Sequence, residues 1–294
     1  MERILLLMLK GLALLPLWLL YGIADFLYLM IYYVAGYRKK VVRRNLAEAF
    51  PEKNSKERKR IEKEYYHFLA DVIVETVKLL HISDSEMNKR IEIVNPEEVN
   101  KKVKEGKSVV LMLGHYGNWE WVQDICRYID NDAYKASIYH PLKNEKWNKI
   151  YGMIRGRWNN HLLPMKGAPR ALLSKENQPW VCGFIADHRP LKNNGDNIVE
   201  FLNHYTSVIY GPEEIGRKTG AAFFFLDMER LKRGRYRITF HDLPSEDENL
   251  PYPYTRAFWK AFEKAILKNP SLWMWSHKRW KYDRVIPTEP EGSV

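Results

Sequence analysis

The sequence predicts an α/β fold with a mostly parallel sheet flanked by helices, preceded by an apolar membrane-anchor helix. Three observations support this prediction. Short apolar segments alternate with amphipathic segments along most of the 294-residue chain, as expected for βα units. An apolar, partly β-branched run at 109–113 ends in a glycine-containing turn, which is typical of a buried strand. The first 37 residues are almost entirely apolar, unlike the rest of the chain.

The apolar N-terminal segment, residues 4–37, is interrupted by Lys10, Pro16 and Asp25. A helix that crosses a bilayer needs about 20 apolar residues, and this segment is longer. We therefore expect a spanning helix, and Asp25 leaves open a tilted or re-entrant anchor within one leaflet. Lys and Arg accumulate after the segment, so the rest of the chain is expected in the cytoplasm. The run is too long for a signal peptide.

Residues 38–63 carry eleven Lys or Arg and four Glu directly after the apolar segment, in a chain of net charge +11. Such juxtamembrane basic clusters are attracted to anionic lipid surfaces by about 1 kcal/mol per residue. A solvated helix face is the alternative for part of this block. Because no nucleic-acid recognition motif occurs, we do not expect binding to DNA or RNA. Cys126 and Cys182 lie in apolar segments, which predicts buried, reduced thiols.

Periodicity and turn signals predict the remaining elements in order. Asn54 and Glu57 have the spacing of a capping box at the start of a long helix. After Pro96, a short helix is predicted to about residue 104. Further strands are predicted at 109–113, 135–139, 180–186, 198–201, 221–227 and 236–240. Further helices are predicted at 119–129, 145–159, 169–173, 211–219 and 254–267. The polar loop 189–197 is expected to be mobile, and the tail 287–294 is expected to be disordered.

The most informative motif is Gly114-His115-Tyr116-Gly117-Asn118-Trp119-Glu120, which follows the first predicted sheet strand. Its glycines allow a sharp turn, and Asn118 can cap a helix that begins at about Trp119. Across such a turn Glu120 can bind one imidazole nitrogen of His115 and leave the other free. A histidine oriented in this way is a general base for a hydroxyl nucleophile. A surface ion pair is the alternative, but α/β sheets place ligands at strand ends.

Other catalytic motifs find no support in the sequence. Gly106-Lys107-Ser108 resembles the end of a phosphate-binding loop, but Lys101 stands where that motif needs glycine. Motifs typical of zinc proteases and serine hydrolases do not occur. Asp187, His188 and Asp196 could hold a metal, although we favour a polar contact that fixes the loop. We therefore expect no metal or other cofactor.

Several segments of the chain resemble the late acyltransferases of lipid A biosynthesis, a branch of the glycerolipid-type His-x4-Asp/Glu acyltransferases. The resemblance runs over nearly the whole chain and begins with the His115-x4-Glu120 motif. The other matching segments occur in the same order as in that family: Asn45-Leu46 with Phe50-Pro51-Glu52, Tyr139-His140-Pro141-Leu142-Lys143-Asn144, Arg155-Gly156-Arg157, Ala186-Asp187, and Trp275-Ser276-His277-Lys278-Arg279-Trp280-Lys281. Two positions depart from the family pattern, since His188 replaces the usual Gln and His140 a frequent Arg.

The resemblance implies transfer of a fatty acyl chain from acyl carrier protein to a hydroxyl of a lipid A precursor. Residues 1–37 would anchor the protein in the inner membrane, and residues 38–286 would form a cytoplasmic acyltransferase domain. His115 would be the base and Glu120 its orienting carboxylate. Five further residues would contact the substrates: Asn118, Trp119, Arg155, Arg157 and Asp187. Another lipid acceptor, such as an amino-acid lipid or lysophospholipid, and a catalytically silent lipid-binding protein remain alternatives.

Overall fold

The computed structural model describes residues 2–175, 178–190, 197–245, 249–281 and 283–285. The predicted disordered tail at 287–294 and most of the predicted mobile loop at 189–197 lie outside these residues. The strands are β1 (Ile91–Val94), β2 (Val109–Leu113), β3 (Tyr134–Tyr139), β4 (His161–Pro164), β5 (Trp180–Ile185), β6 (Ile198–Phe201), β7 (His204–Ser207), β8 (Ala222–Lys232), β9 (Arg235–Asp242) and β10 (Arg284–Val285).

Seven strands form the central sheet in the order β1-β9-β8-β2-β5-β3-β4. Every neighbouring pair is parallel except β8 and β9, which form an antiparallel hairpin. All five residues of β2 are buried, because this strand lies between β8 and β5 with both faces covered. A small antiparallel sheet, β10-β7-β6, lies beside it. The predicted α/β class with a mostly parallel sheet is therefore confirmed.

The described α-helices are α1 (Glu2–Leu14), α2 (Leu17–Leu29), α3 (Lys39–Ala49), α4 (Ser55–Lys78), α5 (Asp84–Asn88), α6 (Pro96–Lys104), α7 (Glu145–Arg155), α8 (Ala168–Leu173), α9 (Gly211–Thr219) and α10 (Pro253–Lys268). A π-helical turn (Met30–Val34) follows α2, and 3₁₀ helices occupy Trp121–Arg127, Arg157–Asn159 and Pro270–Leu272. The capping box of α4 is confirmed, since Asn54 accepts from the Glu57 amide and Glu57 from the Asn54 amide.

Two predicted helices differ from the structure. The segment predicted as a helix at 119–129 is a 3₁₀ helix that begins at Trp121. The helix predicted at 145–159 ends at Arg155, and Trp158 has a φ of 56°, in the left-handed region that a continuing α-helix cannot contain. The chain therefore turns after α7 and reaches the edge strand β4.

The N-terminal segment forms two helices rather than one, because Pro16 lacks the amide that a continuous helix requires at that point. Among the described residues, one helical stretch, Leu17–Val34, is long and apolar enough to cross a membrane, and 22% of it is buried. Its buried side chains, which include Leu17, Leu20 and Ala24, pack against α4. Its opposite side is exposed and apolar.

Candidate active site

The histidine turn, defined here as residues 114–118, leaves the carboxyl end of β2 and is held tightly on both sides. A Cβ atom at Gly114 would lie 2.2 Å from Cζ of Phe262, and Gly117 has a φ of +61°. Both positions therefore require glycine. Backbone hydrogen bonds to residues 272–274 hold the turn from the other side. The histidine is thus carried by a rigid loop at a strand end.

The side chain of His115 is paired with Asp187. The Nδ1 atom of His115 lies 2.7 Å from Oδ1 of Asp187. The other carboxylate oxygen accepts from the backbone N–H of His115 and from Nε1 of Trp273, each at 3.0 Å. Burial alone would raise the pKa of the Asp187 carboxyl, but the His115 charge and these hydrogen bonds hold that pKa well below its usual range. A buried carboxylate therefore fixes the imidazole and leaves Nε2 for a substrate.

The sheet register explains why these two residues meet. Leu113, the last residue of β2, is aligned with Ile185, the last residue of β5, in a parallel pair. His115 and Asp187 each follow by two residues, so their side chains leave the same edge of the sheet side by side. This is the edge at which open α/β sheets bind ligands.

Glu120 does not contact His115 in this structure, which corrects the predicted role of its carboxylate as the group that orients the imidazole. Instead, Glu120 forms a two-pronged ion pair with Arg155, at 2.8 Å to Nε and 2.5 Å to Nη2. The turn between His115 and the 3₁₀ helix carries Glu120 towards α7 and away from the ring. Glu120 and Arg155 therefore fix one another at the edge of the site.

Arg157 also lies elsewhere than predicted. Its guanidinium donates to the backbone carbonyl of Leu79 at 2.7 Å and to that of Ile82 at 2.9 Å. These carbonyls belong to the turn that follows α4, where the helix end leaves acceptors unsatisfied. In this structure Arg157 therefore holds the end of α4, and its contact with the substrates stays a prediction.

Asn118 and Trp119 complete the turn. The side-chain oxygen of Asn118 accepts from the amide of Trp121 at 3.0 Å, but the N-cap position of the 3₁₀ helix is Glu120, two residues later than predicted. The side-chain amide group of Asn118 donates to buried Glu75, at 2.5 Å. Asn118 is completely buried in this structure, and its contact with a substrate stays a prediction. Trp119 is half-buried, and its ring centroid lies 5.5 Å from that of His115.

An apolar cavity opens beside the histidine turn, between β2, β3, β5 and the 3₁₀ helix Trp121–Arg127. Three predicted site residues stand among its lining: Trp119, Glu120 and Arg155. Its walls are mostly aliphatic and include Leu113, Ile125, Ile138, Val181 and Ile185. Since Trp119 also contacts His115, the cavity and the histidine belong to one site. The cavity has a volume of only about 40 Å³ in this structure, so a hydrocarbon chain would fit there only if the walls moved apart.

The family model for bacterial lipid A biosynthesis acyltransferases matches residues 3–282, nearly the whole chain. The protein belongs to this family. The lipid A biosynthesis lauroyltransferase of Escherichia coli K12 is 25% identical over 264 residues, covering 87% of this chain and 81% of that protein. The palmitoleoyltransferase of the same strain is 24% identical over 258 residues, covering 83% and 79%. A lipid A biosynthesis acyltransferase of Haemophilus influenzae is 20% identical over 234 residues, covering 79% and 72%.

Membership in this family supports acyl transfer to a lipid A precursor, and it confirms the resemblance drawn from the sequence motifs. The names of the two E. coli relatives differ in the acyl group, which is lauroyl in one and palmitoleoyl in the other. The family alone therefore does not fix the chain length that this acyltransferase uses.

Two histidines without a predicted role in the site form a chain of rings with His115, in which His188 contacts His115 and His277 contacts His188. The ring centroids of His115 and His188 are 4.5 Å apart, and those of His188 and His277 are also 4.5 Å apart. Burial and the neighbouring imidazoles lower the pKa of His277 to about 4, so this ring is neutral at pH 7. A signal was present for both, because His277 lies in a segment that resembles the family and His188 directly follows the matching Ala186-Asp187.

No group of three or more metal-ligating side chains that could hold a metal ion occurs within the described ranges. Of the three residues considered from the sequence, Asp196 lies outside those ranges. Both oxygens of Asp187 already accept hydrogen bonds from His115 and Trp273. The alternative in which Asp187 fixes a polar contact thus agrees with the structure, and that contact is to the histidine itself.

Proposed function

We propose that this acyltransferase moves a fatty acyl chain from the thioester of an acyl carrier protein to a hydroxyl of a lipid A precursor, with His115 as general base and Asp187 as its orienting carboxylate. The observation that carries the proposal is the 2.7 Å contact between Nδ1 of His115 and Asp187. With Nδ1 held in this way, Nε2 is the atom that accepts a proton.

In the proposed reaction, Nε2 of His115 removes the proton of the acceptor hydroxyl while the oxygen attacks the thioester carbonyl. Asp187 stabilises the imidazolium that forms. The tetrahedral intermediate then collapses, the C–S bond breaks, and the imidazolium returns its proton to the departing thiol. We assign the oxyanion to the backbone amides of Trp119 and Glu120, in the turn just before the 3₁₀ helix.

In this proposal the acyl chain of the donor enters at the apolar cavity beside Trp119, whose walls move apart to enlarge it from its present volume of about 40 Å³. Its aliphatic walls match a saturated or monounsaturated chain, and the histidine lies at the Trp119 side, where the thioester must be. Arg155 and Glu120 stand in the cavity lining as a neutralised pair. The net charge of +11 complements an acidic carrier protein, which supports that donor over a neutral one.

We also propose that the N-terminal helices lie in one leaflet of the inner membrane and do not cross it. The sequence alone favours the other arrangement, a helix that spans the membrane. Asp25, in the middle of the candidate span, contacts His67 at 2.8 Å and Arg233 at 2.6 Å. Arg233 in turn contacts the buried Asp71 at 2.7 Å. If α2 crossed the bilayer, this cluster of the catalytic domain would be drawn into hydrocarbon, at a cost of several kcal/mol.

The opposite side of α1 and α2 is suited to lipid. Large apolar side chains are exposed along both helices, among them Leu7, Met8, Leu12, Trp18, Phe26 and Leu29. Arg38, Lys40 and Arg44 follow on the exposed side of the chain, where they reach anionic headgroups. The N-terminus would therefore lie on the cytoplasmic side. An N-terminal epitope tag that protease removes from intact spheroplasts would contradict this orientation and favour a spanning helix.

Initial rates of acyl transfer test the proposed activity. Purified full-length protein is incubated with lauroyl and palmitoleoyl thioesters of acyl carrier protein and with a lipid A precursor, and products are measured by mass spectrometry. We expect turnover by the wild type and a loss of about 10²–10⁴-fold in His115→Ala. Coenzyme A thioesters test the choice of carrier. Near-normal turnover by folded His115→Ala protein would overturn the role of His115 as base.

A further inference from the structure

A buried carboxylate connects the anchor helix to the histidine turn. Glu75, on α4, has no exposed surface and accepts hydrogen bonds from three side chains on three different elements. Tyr21 of α2 donates at 2.8 Å, Asn118 of the histidine turn at 2.5 Å and Tyr236 of β9 at 2.8 Å. One side chain therefore joins the membrane anchor, the sheet and the loop that carries His115.

The backbone of the same residue strengthens this connection. The carbonyl of Glu75 accepts from Nε1 of Trp121 at 2.9 Å, and the amide of Trp121 donates to Asn118 at 3.0 Å. Glu75 thus holds both residues at the point where the histidine turn enters the 3₁₀ helix. Backbone contacts to residues 272–274 hold the other side of the turn.

The chemistry of Glu75 indicates a positioning role rather than simple packing. A carboxylate with no exposed surface is costly to bury, and no Lys or Arg within the described ranges forms a salt bridge with it. Burial, together with the nearby charge of Asp71, raises the pKa of Glu75 to about 7. An apolar side chain would fill this space at lower cost, but it could not bind three donors from three elements.

We propose that helix α2 positions the histidine turn through Glu75, so that Tyr21 and Glu75 are positioning residues of the active site. Helix α2 then helps to align the active site in addition to attaching the protein to the membrane. Movement of α2 away from α4 removes the Tyr21 hydrogen bond, which leaves Glu75 with two of its three donors and fixes Asn118 less firmly. His115, three residues before Asn118, loses its alignment with the substrate. The activity arm of the test rests on the proposed acyl transfer.

Four full-length variants in detergent micelles test this inference. Tyr21→Phe removes one hydrogen bond to Glu75, and Glu75→Leu removes all three. Glu75→Gln keeps an acceptor for Asn118 and Tyr236 and offers an N–H to the Tyr21 oxygen. It should therefore hold the histidine turn as the wild-type glutamate does. Tyr32→Phe is the matched control, because the buried hydroxyl of Tyr32 has no hydrogen-bond partner among the described residues.

Hydrogen exchange of the peptide 114–123, followed by mass spectrometry, is the first measurement. We expect faster exchange in Tyr21→Phe and Glu75→Leu than in the wild type, and unchanged exchange in Glu75→Gln and Tyr32→Phe. Exchange needs no substrate, so this result can be interpreted even if the proposed activity fails. Exchange in Tyr21→Phe that matches Tyr32→Phe would overturn the inference.

Steady-state kinetics are the second measurement. A misplaced base lowers kcat with little change in KM, and we expect about a tenfold loss in Tyr21→Phe and a larger one in Glu75→Leu. Glu75→Gln should keep at least half of the wild-type kcat. Vesicle flotation shows whether Tyr21→Phe still binds membranes, as we expect. Equal kcat values for Glu75→Gln and Glu75→Leu would refute positioning by hydrogen bonds.

Discussion

Replacement of Asp187 by asparagine tests which of two carboxylates, Asp187 or Glu120, orients His115. In the structure one oxygen of Asp187 accepts two N–H donors, from the backbone of His115 and from Trp273, and the other faces Nδ1. The asparagine oxygen will keep the two donors, because no other group of that side chain can accept them. Its amide group must then face Nδ1 and donate to it. This places the ring proton on Nε2, the atom that should accept a proton from the substrate.

The expected loss follows from this change of tautomer. In Ser-His-Asp triads the equivalent substitution lowers kcat about 10⁴-fold, with the geometry intact. We expect a loss of 10²–10⁴-fold for Asp187→Asn, similar to that for His115→Ala. The matched control is Glu120→Gln, since Glu120 binds Arg155 and not the imidazole. A glutamine keeps one hydrogen bond to Arg155, so the loss in kcat should stay within about tenfold.

The assay compares initial rates of the three variants with an acyl carrier protein thioester and a lipid A precursor, at saturating concentrations of both. Circular dichroism spectra and melting temperatures establish that each protein is folded. A pH–rate profile adds a second readout, because loss of the carboxylate should change the ionisation on which kcat depends. If folded Glu120→Gln lost more activity than folded Asp187→Asn, the assignment of Asp187 as the orienting carboxylate would be refuted.

Three further predictions concern stability and specificity. Folding raises the pKa of Glu75 from 4.5 to about 7, so the stability that its bound proton contributes is complete below pH 4.5 and is lost towards pH 7. The melting temperature of Glu75→Gln should therefore rise relative to that of the wild type between pH 5 and 8. A constant difference between the two melting temperatures would contradict the pKa shift. Arg157→Ala removes the two hydrogen bonds to the turn after α4 and should lower the free energy of unfolding, measured in urea, by about 2 kcal/mol with KM unchanged. A raised KM at unchanged stability would instead indicate that Arg157 contacts the substrate. A Cβ at Gly183 meets no atom closer than 3.5 Å, so Gly183→Ala should fold. Its methyl group would narrow the cavity and should favour shorter acyl thioesters by about tenfold in kcat/KM, and an unchanged preference would place the acyl chain elsewhere.

The elements that the sequence predicts well are those with a strong local signal. The strand at 109–113 and the helix at 211–219 agree with β2 and α9 at both ends. The strands β1, β4, β7 and β10 are not predicted, and they have four residues or two, whereas β6, also of four residues, is predicted at both ends by its alternating pattern. Strands of this length are stabilised by their neighbours in the sheet more than by their own residues, so their local sequence carries little signal.

The pairing of His115 with Asp187 could not be predicted from spacing along the chain, because it depends on strand order. Five residues separate His115 from Glu120, and this local proximity suggested their contact. Seventy-two residues separate His115 from Asp187, and only the adjacency of β2 and β5 brings them together. Each follows its strand by two residues, so the sheet register fixes their contact once the strands are neighbours. With Asp187 on the histidine, Glu120 neutralises Arg155 at the cavity, where an unpaired guanidinium would oppose entry of an apolar chain.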